Sequence, residues 1–144
     1  MIKDINNVPK FLETLEELIT SRIEIGILGE DGDKPSILMI ARVHEYGTDI
    51  IPERSFLRAS FDSRKKKFEE QGARLLKQVI VKGMSADAFF NAYGEYLVAQ
   101  VRDYMVKLRY PANAPSTIKK KGSSNPLIDE GRLLGSIEWR VVKE

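Results

Sequence analysis

Apolar residues recur at helical spacing for some fifty residues of this chain, with one interruption, and little else in the sequence restricts the fold as much. Leu57, Phe61, Phe68, Leu75, Leu76 and Val79 form a first stripe, and Phe89, Phe90, Tyr93, Leu97, Val101, Tyr104, Met105 and Leu108 form a second. The break between them, "VKGMS", is short and holds a glycine and a serine, with Ser85 placed to cap the second helix. Two long helices joined so tightly can bury both stripes only by folding back as an antiparallel pair. Gly94 weakens an isolated helix by about 1 kcal/mol, so its presence in the second stripe points to a close neighbour. The run "DSRKKKFEEQ" carries both signs of charge and reads as the solvent face of the first helix.

Shorter elements flank this pair. Val8, Phe11, Leu12, Leu15, Leu18 and Ile19 predict a helix over about residues 9–20, with Asn7 as cap and Pro9 in the first turn. "RIEIGIL" then switches to a period of two, with Ile23, Ile25 and Ile27 on one face and Glu24 and Gly26 on the other. Ile37, Ile40, Ala41 and His44 predict a short helix that Gly47 closes. Ser136 to Val142 alternates again, placing Ile137, Trp139 and Val141 together. The expected class is α+β: a small, mainly antiparallel β-sheet packed against two long helices, with shorter helices around them. Two strands alone are marginal, so either the arm near Ile50 supplies a third or a neighbouring subunit completes the sheet.

Size and composition narrow the possibilities. A chain of 144 residues, 42% hydrophobic and 31% charged, suits one globular domain with a real core. The net charge of +2 gives no global pull toward nucleic acid or membrane. The absence of cysteine removes disulfides, thiolate nucleophiles and thiolate metal sites, and fits a reducing cytoplasm. Residues 1–10 are polar, so no secretory signal is read there, and no apolar run approaches the roughly 20 residues of a membrane span. Residues 29–35 ("GEDGDKP") and 110–125 are rich in turn formers and charge, and are expected to be loops that order only against partners.

The stretch "ARVHEYGTDIIPERSFLRASFD" concentrates polar chemistry and invites a catalytic reading. His44, the one histidine, opens an apparent HExxH, but Thr48 stands where the second zinc ligand belongs. No serine lies in a GxSxG elbow, and the spacing of Glu45, Glu53 and Asp62 does not hold a carboxylate pair at glycosidase distance. Asp31 and Asp33 lack the remaining oxygen ligands of a calcium loop, and "GEDGDKPS" lacks the Gly-Lys-Ser/Thr of a phosphate loop. The expectation is a protein that is not an enzyme and uses no metal or cofactor. Nucleic-acid contact has better material: Arg64, Lys65, Lys66 and Lys67 form one basic cluster, and Lys119, Lys120 and Lys121 a second. A small nucleic-acid-binding protein is therefore the alternative reading.

Two segments resemble a known family. "VHEYGT", followed after a proline-containing arm by "RSFLRASFD", is similar to the conserved segment of small tailed-phage morphogenesis proteins of the tail-completion or neck (head-tail joining) group. "NAPSTIKKKGSSNPLIDEGRLLGSIEWRV" is similar to a second segment of the same proteins, in the same order. Glu130 departs from the usual threonine, and Ser55 and Ala59 stand where proline is common. The resemblance implies a bacteriophage or prophage structural protein that forms a ring, sixfold in symmetry, at the head-proximal end of the tail. It implies partners among connector, tail-tube and tail-terminator proteins, DNA nearby in the central channel, no membrane, and a location in the virion after assembly in the bacterial cytoplasm.

On that reading the first segment is an interface. Gly47 turns the chain, Thr48 bonds the local backbone, and His44, Glu45 and Tyr46 lead into an arm over residues 49–55. Ile50, Ile51 and Pro52 then pack on another subunit, Phe56 and Leu57 anchor the base, and Arg54 and Arg58 meet carboxylates across the contact. In the second segment Pro126 and Leu127 enter a turn and Asp129 caps a short helix containing Gly131, Leu133 and Ser136. That helix delivers Ile137 and Trp139 to the sheet.

Overall fold

The computed structural model describes residues 5–29, 32, 36–108, 115, 119 and 131–144. A 3-10 turn, Ile5–Asn7, leads into α1 (Val8–Ile19), followed by β1 (Ser21–Gly26) and α2 (Ile37–Tyr46). The long helices are α3 (Leu57–Lys82) and α4 (Ala86–Lys107); a short α5 (Arg132–Gly135) precedes β2 (Glu138–Lys143). β1 and β2 pair in an antiparallel two-stranded sheet, so the class is α+β with two long helices. The described residues form two compact units, one from those within 5–25, 65–97 and 139–144, the other from those within 26–64 and 98–138.

In the first unit the core is Leu75, Val79, Ala86, Phe89 and Phe90, covered by Phe11 and Leu18 from α1, Ile23 from β1 and Trp139 from β2. Phe89 meets Phe90 edge-on at 5.6 Å between centroids, a favoured arrangement of ring quadrupoles. The antiparallel register follows from cross-helix contacts. Tyr93 donates its hydroxyl to the Phe68 carbonyl at 2.9 Å, and Tyr96 packs edge-on against Phe68. The connection forms because Gly83 takes φ +69° and its N–H caps the Val79 carbonyl at 3.1 Å, an αL termination. Ser85 accepts the Ala88 N–H at 3.2 Å and starts α4. Gly94 leaves space that Trp139 fills, since a Cβ there would collide with the indole.

The solvent side of the sheet is tied by charge. Arg140 places Nε and Nη2 on Glu24 Oε2 at 2.9 and 2.7 Å, and Arg22 bonds both Glu24 and Glu144. These arginines hold the Glu24 carboxyl below its ordinary range, Arg140 most strongly.

In the second unit Ile37, Ala41, Phe56, Val98, Val101, Met105, Leu133 and Ile137 are buried, and α2 packs against α5.

Several expectations are corrected. Asn7 occupies the N-cap position of α1, but its side chain makes no capping bond because the preceding 3-10 turn leaves it in a helical conformation. Leu76 is 42% exposed: one residue past Leu75 it is turned about 100° from the stripe that Leu75 and Val79 share. Val141 is also exposed, because the core beneath the sheet reaches Ile23 and Trp139 and stops short of it. Among the described residues the sheet has no third strand, and residues 49–55 run as turn and irregular chain. Gly131, in the left-handed region, rather than Asp129, holds the N-cap position of α5. Asp129, Pro126, Leu127, Lys120, Lys121, Asp31 and Asp33 lie outside the described residues, as do most of the loops over 29–35 and 110–125.

Candidate functional site: a carboxylate-clamped loop

The stretch that invites a catalytic reading builds a rigid loop in the second unit. α2 begins where the Ser36 hydroxyl accepts the Met39 N–H at 3.3 Å, and it ends at Gly47. Gly47 has φ 72° and ψ 178°, a region open essentially to glycine, and a Cβ there would stand 2.8 Å from the Glu53 nitrogen. Glycine is therefore required twice, by conformation and by close approach of the returning chain. Beyond it the Thr48 hydroxyl accepts the N–H groups of Ile50 and Ile51 at 3.3 and 2.9 Å, while the Thr48 N–H donates to the Ile51 carbonyl at 2.7 Å. The Arg54 N–H then donates to the His44 carbonyl at 2.7 Å and closes the loop back onto α2.

Glu45 organises the whole arrangement. It is 6% exposed, a burial an acid tolerates only with full compensation. Its Oε2 accepts the N–H groups of Phe56 and Leu57, both at 2.9 Å. Its Oε1 accepts the Arg58 N–H at 3.0 Å, the Arg58 Nε–H at 2.9 Å and the Ser55 hydroxyl at 2.8 Å. Ser55 in turn accepts the Ala59 N–H at 3.2 Å. The orphan N–H groups at the start of α3 are thus satisfied by a carboxylate from another helix and a serine of the approaching chain. Burial by itself pushes the Glu45 carboxyl up; the Leu57 and Arg58 N–H groups, Ser55 and the Arg58 guanidinium outweigh it and hold the group below the usual carboxylate range.

This geometry shows what Glu45, Glu53 and Arg58 are bound to. Glu45 and Glu53 do not form an acid pair: both are held by Arg58, whose Nη2 reaches Glu53 at 2.8 Å and the Glu45 carbonyl at 2.8 Å. Arg58, expected to face another subunit, is occupied within its own chain and stacks over the Tyr46 ring at 4.6 Å. Arg54, expected to do the same, is 7% exposed, and burial lowers its pKa. Phe56 is 2% exposed and anchors the base of the loop, while Leu57 is partly covered. What faces solvent is Ile50, at 92%, with Tyr46, Pro52 and, less fully, Ile51.

The tail segment is joined to the same unit by a residue that spacing did not single out. Arg102, on α4, donates from Nε to the Leu134 carbonyl at 3.2 Å and from Nη2 to the Ile137 carbonyl at 2.9 Å. The guanidinium satisfies carbonyls at the end of α5, where a cation also suits the helix dipole. Leu133 and Ile137 are buried, and the Ser136 hydroxyl donates to the Leu133 carbonyl at 2.9 Å. Trp139 belongs to the first unit, where its Nε1–H donates to Glu95 at 2.8 Å.

The basic clusters fare differently. Arg64 does not belong to a nucleic-acid surface: its side chain is 12% exposed, bonds Gln100 and Asp103, and lies over the Tyr104 ring. Successive residues on a helix are 100° apart, so the first of four basic residues falls on the side facing α4. Lys65 and Lys66 are exposed and pair weakly with Glu69 and Glu70 one turn on, Lys67 is exposed, and Lys119 is exposed. Among the described residues no group of three or more His, Cys, Asp or Glu side chains is placed to hold a metal ion, and no helix is long and apolar enough to cross a membrane. In comparisons with known proteins, no family model, no curated protein and no solved structure matches the chain.

Proposed function

We propose that the chain is a structural subunit of a bacteriophage or prophage particle, acting in tail completion or head-tail joining by assembling as a ring at the head-proximal end of the tail. One observation carries the reading. The two segments that resemble tailed-phage neck proteins are far apart in sequence, yet residues 43–62 of the first and the described residues of the second up to 138 lie in one compact unit, with α2 packed against α5, while residues 139–141 of the second belong to the other unit. Within that unit the motif residues have architectural work: Glu45 caps α3, Gly47 and Thr48 shape the loop, and Arg58 closes it. Such a clamp presents a fixed surface to a neighbour, as a closed assembly of repeated subunits requires.

Native mass spectrometry over a concentration series, with negative-stain imaging of the largest species, tests it. The expected result is a closed ring, most tellingly a hexamer. A strict monomer at every concentration overturns spontaneous ring closure. Binding to DNA that falls steeply with salt and depends on Lys65–Lys67 and Lys119–Lys121, without any assembly, would instead favour the nucleic-acid-binding alternative.

A further inference from the structure

Among the described residues of the second unit, large apolar side chains are exposed mainly on α2 and the loop after it: Met39, Tyr46 and Ile50 are 60%, 63% and 92% exposed. Ile50 is not exposed because its loop is loose. Thr48 holds the Ile50 and Ile51 nitrogens, and Gly47 admits the chain close to Glu53. A side chain fixed in this way loses little freedom on docking. Beside the loop lies an open groove of about 660 Å³, bordered by Leu38, Met39, Arg42, Val43 and Tyr46, which its own Ile50 does not fill.

Charge identifies the occupant. Among the described residues Arg42 is the one charged residue lining the groove; it is exposed and forms no ion pair with any of them. Asp49, next to Ile50, is likewise exposed and unpaired among the described residues. The chain therefore carries an apolar knob with an adjacent anion, and a groove of mixed polarity whose apolar walls, Leu38, Met39, Val43 and Tyr46, adjoin a cation. Knob and groove on one molecule are complementary to a second copy of that molecule.

We infer that Ile50 of one copy seats in the α2 groove of a second copy, with Asp49 paired to Arg42. The inference rests on self-assembly as proposed above and specifies its contact. The absence of native cysteine makes the test direct. Ile50→Cys and Met39→Cys, both at exposed positions, are prepared separately, mixed in equal amounts and oxidised under mild conditions. A disulfide needs the two Cα atoms within about 7 Å, so only a seated knob is trapped. The expected result is a cross-linked dimer in the mixture, well above what either variant forms alone. Arg42→Asp and Asp49→Arg each weaken self-association by about tenfold or more, and the double exchange within one chain restores it. Assembly that persists without excess cross-linking in the mixture overturns this contact and leaves ring formation standing. A monomer at every concentration overturns both.

Discussion

Glu45 and Arg58 grip each other through side chain and backbone at once. Glu45 Oε1 accepts from both the backbone N–H and the Nε–H of Arg58, and Arg58 Nη2 returns to the Glu45 carbonyl oxygen. Because the same carboxylate also holds the Phe56 and Leu57 nitrogens, the end of α2 and the start of α3 are one structural joint.

Removing the carboxylate should therefore cost more than an ordinary cap. Glu45→Ala leaves buried N–H donors at the start of α3 without their partner, and a loss of about 2–4 kcal/mol in unfolding free energy is expected. Glu45→Gln keeps one acceptor but turns an amide NH₂ toward other donors, so its loss should be smaller yet still clear. Urea unfolding followed by circular dichroism checks both, and wild-type midpoints for the two variants would refute the joint.

The same group gives a pH signature. In the folded chain the Glu45 carboxyl sits below its ordinary value of 4.5, so the unfolded state binds its proton first as the pH falls. Its contribution is complete above that ordinary value and is lost as the pH drops through the lower folded value. Glu24 and Asp103, also lowered, act in the same acid range. Glu45→Gln should flatten the acid limb of a stability-against-pH curve below about pH 4.5 while leaving neutral-pH slopes alone. An unchanged acid limb would assign it to carboxylates other than Glu45, with Glu24 and Asp103 the candidates among the described residues.

This joint shows what was legible in the sequence. The two stripes gave the long helices, and alternation gave both strands, since local periodicity is a property of neighbouring residues. Gly47 and Thr48 were readable for the same reason: each bonds or turns within a few positions. Glu45 was visible only as part of an acid cluster, because its partners lie ten to thirteen residues on, across a loop. Arg102 gave no signal, for its carbonyl partners are more than thirty residues away and carbonyls carry no sequence identity. Arg64 was misread because a run of basic residues says nothing about which of them a helix turns inward.

Two helical glycines should respond oppositely to alanine. At Gly94 an added Cβ would run into the Trp139 indole, a large ring held by Glu95, and overpacking should cost about 1–3 kcal/mol despite the helix preference for alanine. At Gly72 the added Cβ meets the Tyr93 hydroxyl at 3.2 Å, the far end of a side chain that can shift slightly. There the gain in helix propensity, about 1 kcal/mol, should offset the contact and leave stability near wild type. Thermal unfolding of the two variants side by side, with tryptophan emission reporting the indole, separates them. Equal losses would mean that Trp139 is not seated on Gly94.

Arg102 provides the last test, because it joins α5 to α4 through carbonyl oxygens alone. Arg102→Ala removes a charged donor from the end of α5, and hydrogen bonds to charged groups contribute about 1.5–3 kcal/mol each, net of exchange with water. The residue lies at the surface, so water replaces part of what is lost, and global stability should fall by only about 1–2 kcal/mol. Locally the effect should be larger: Leu133 and Ile137 are buried beside this staple, and hydrogen exchange over residues 132–137 should accelerate well before the amides of α4 respond. Arg102→Lys should recover little, since an ammonium cannot span the Leu134 and Ile137 carbonyls as a planar fork does. If the resembling segments act through this unit, Arg102→Ala should also weaken assembly although it lies outside both of them. Unaltered exchange over 132–137 would show that apolar packing, the α2 contact included, holds α5 without Arg102.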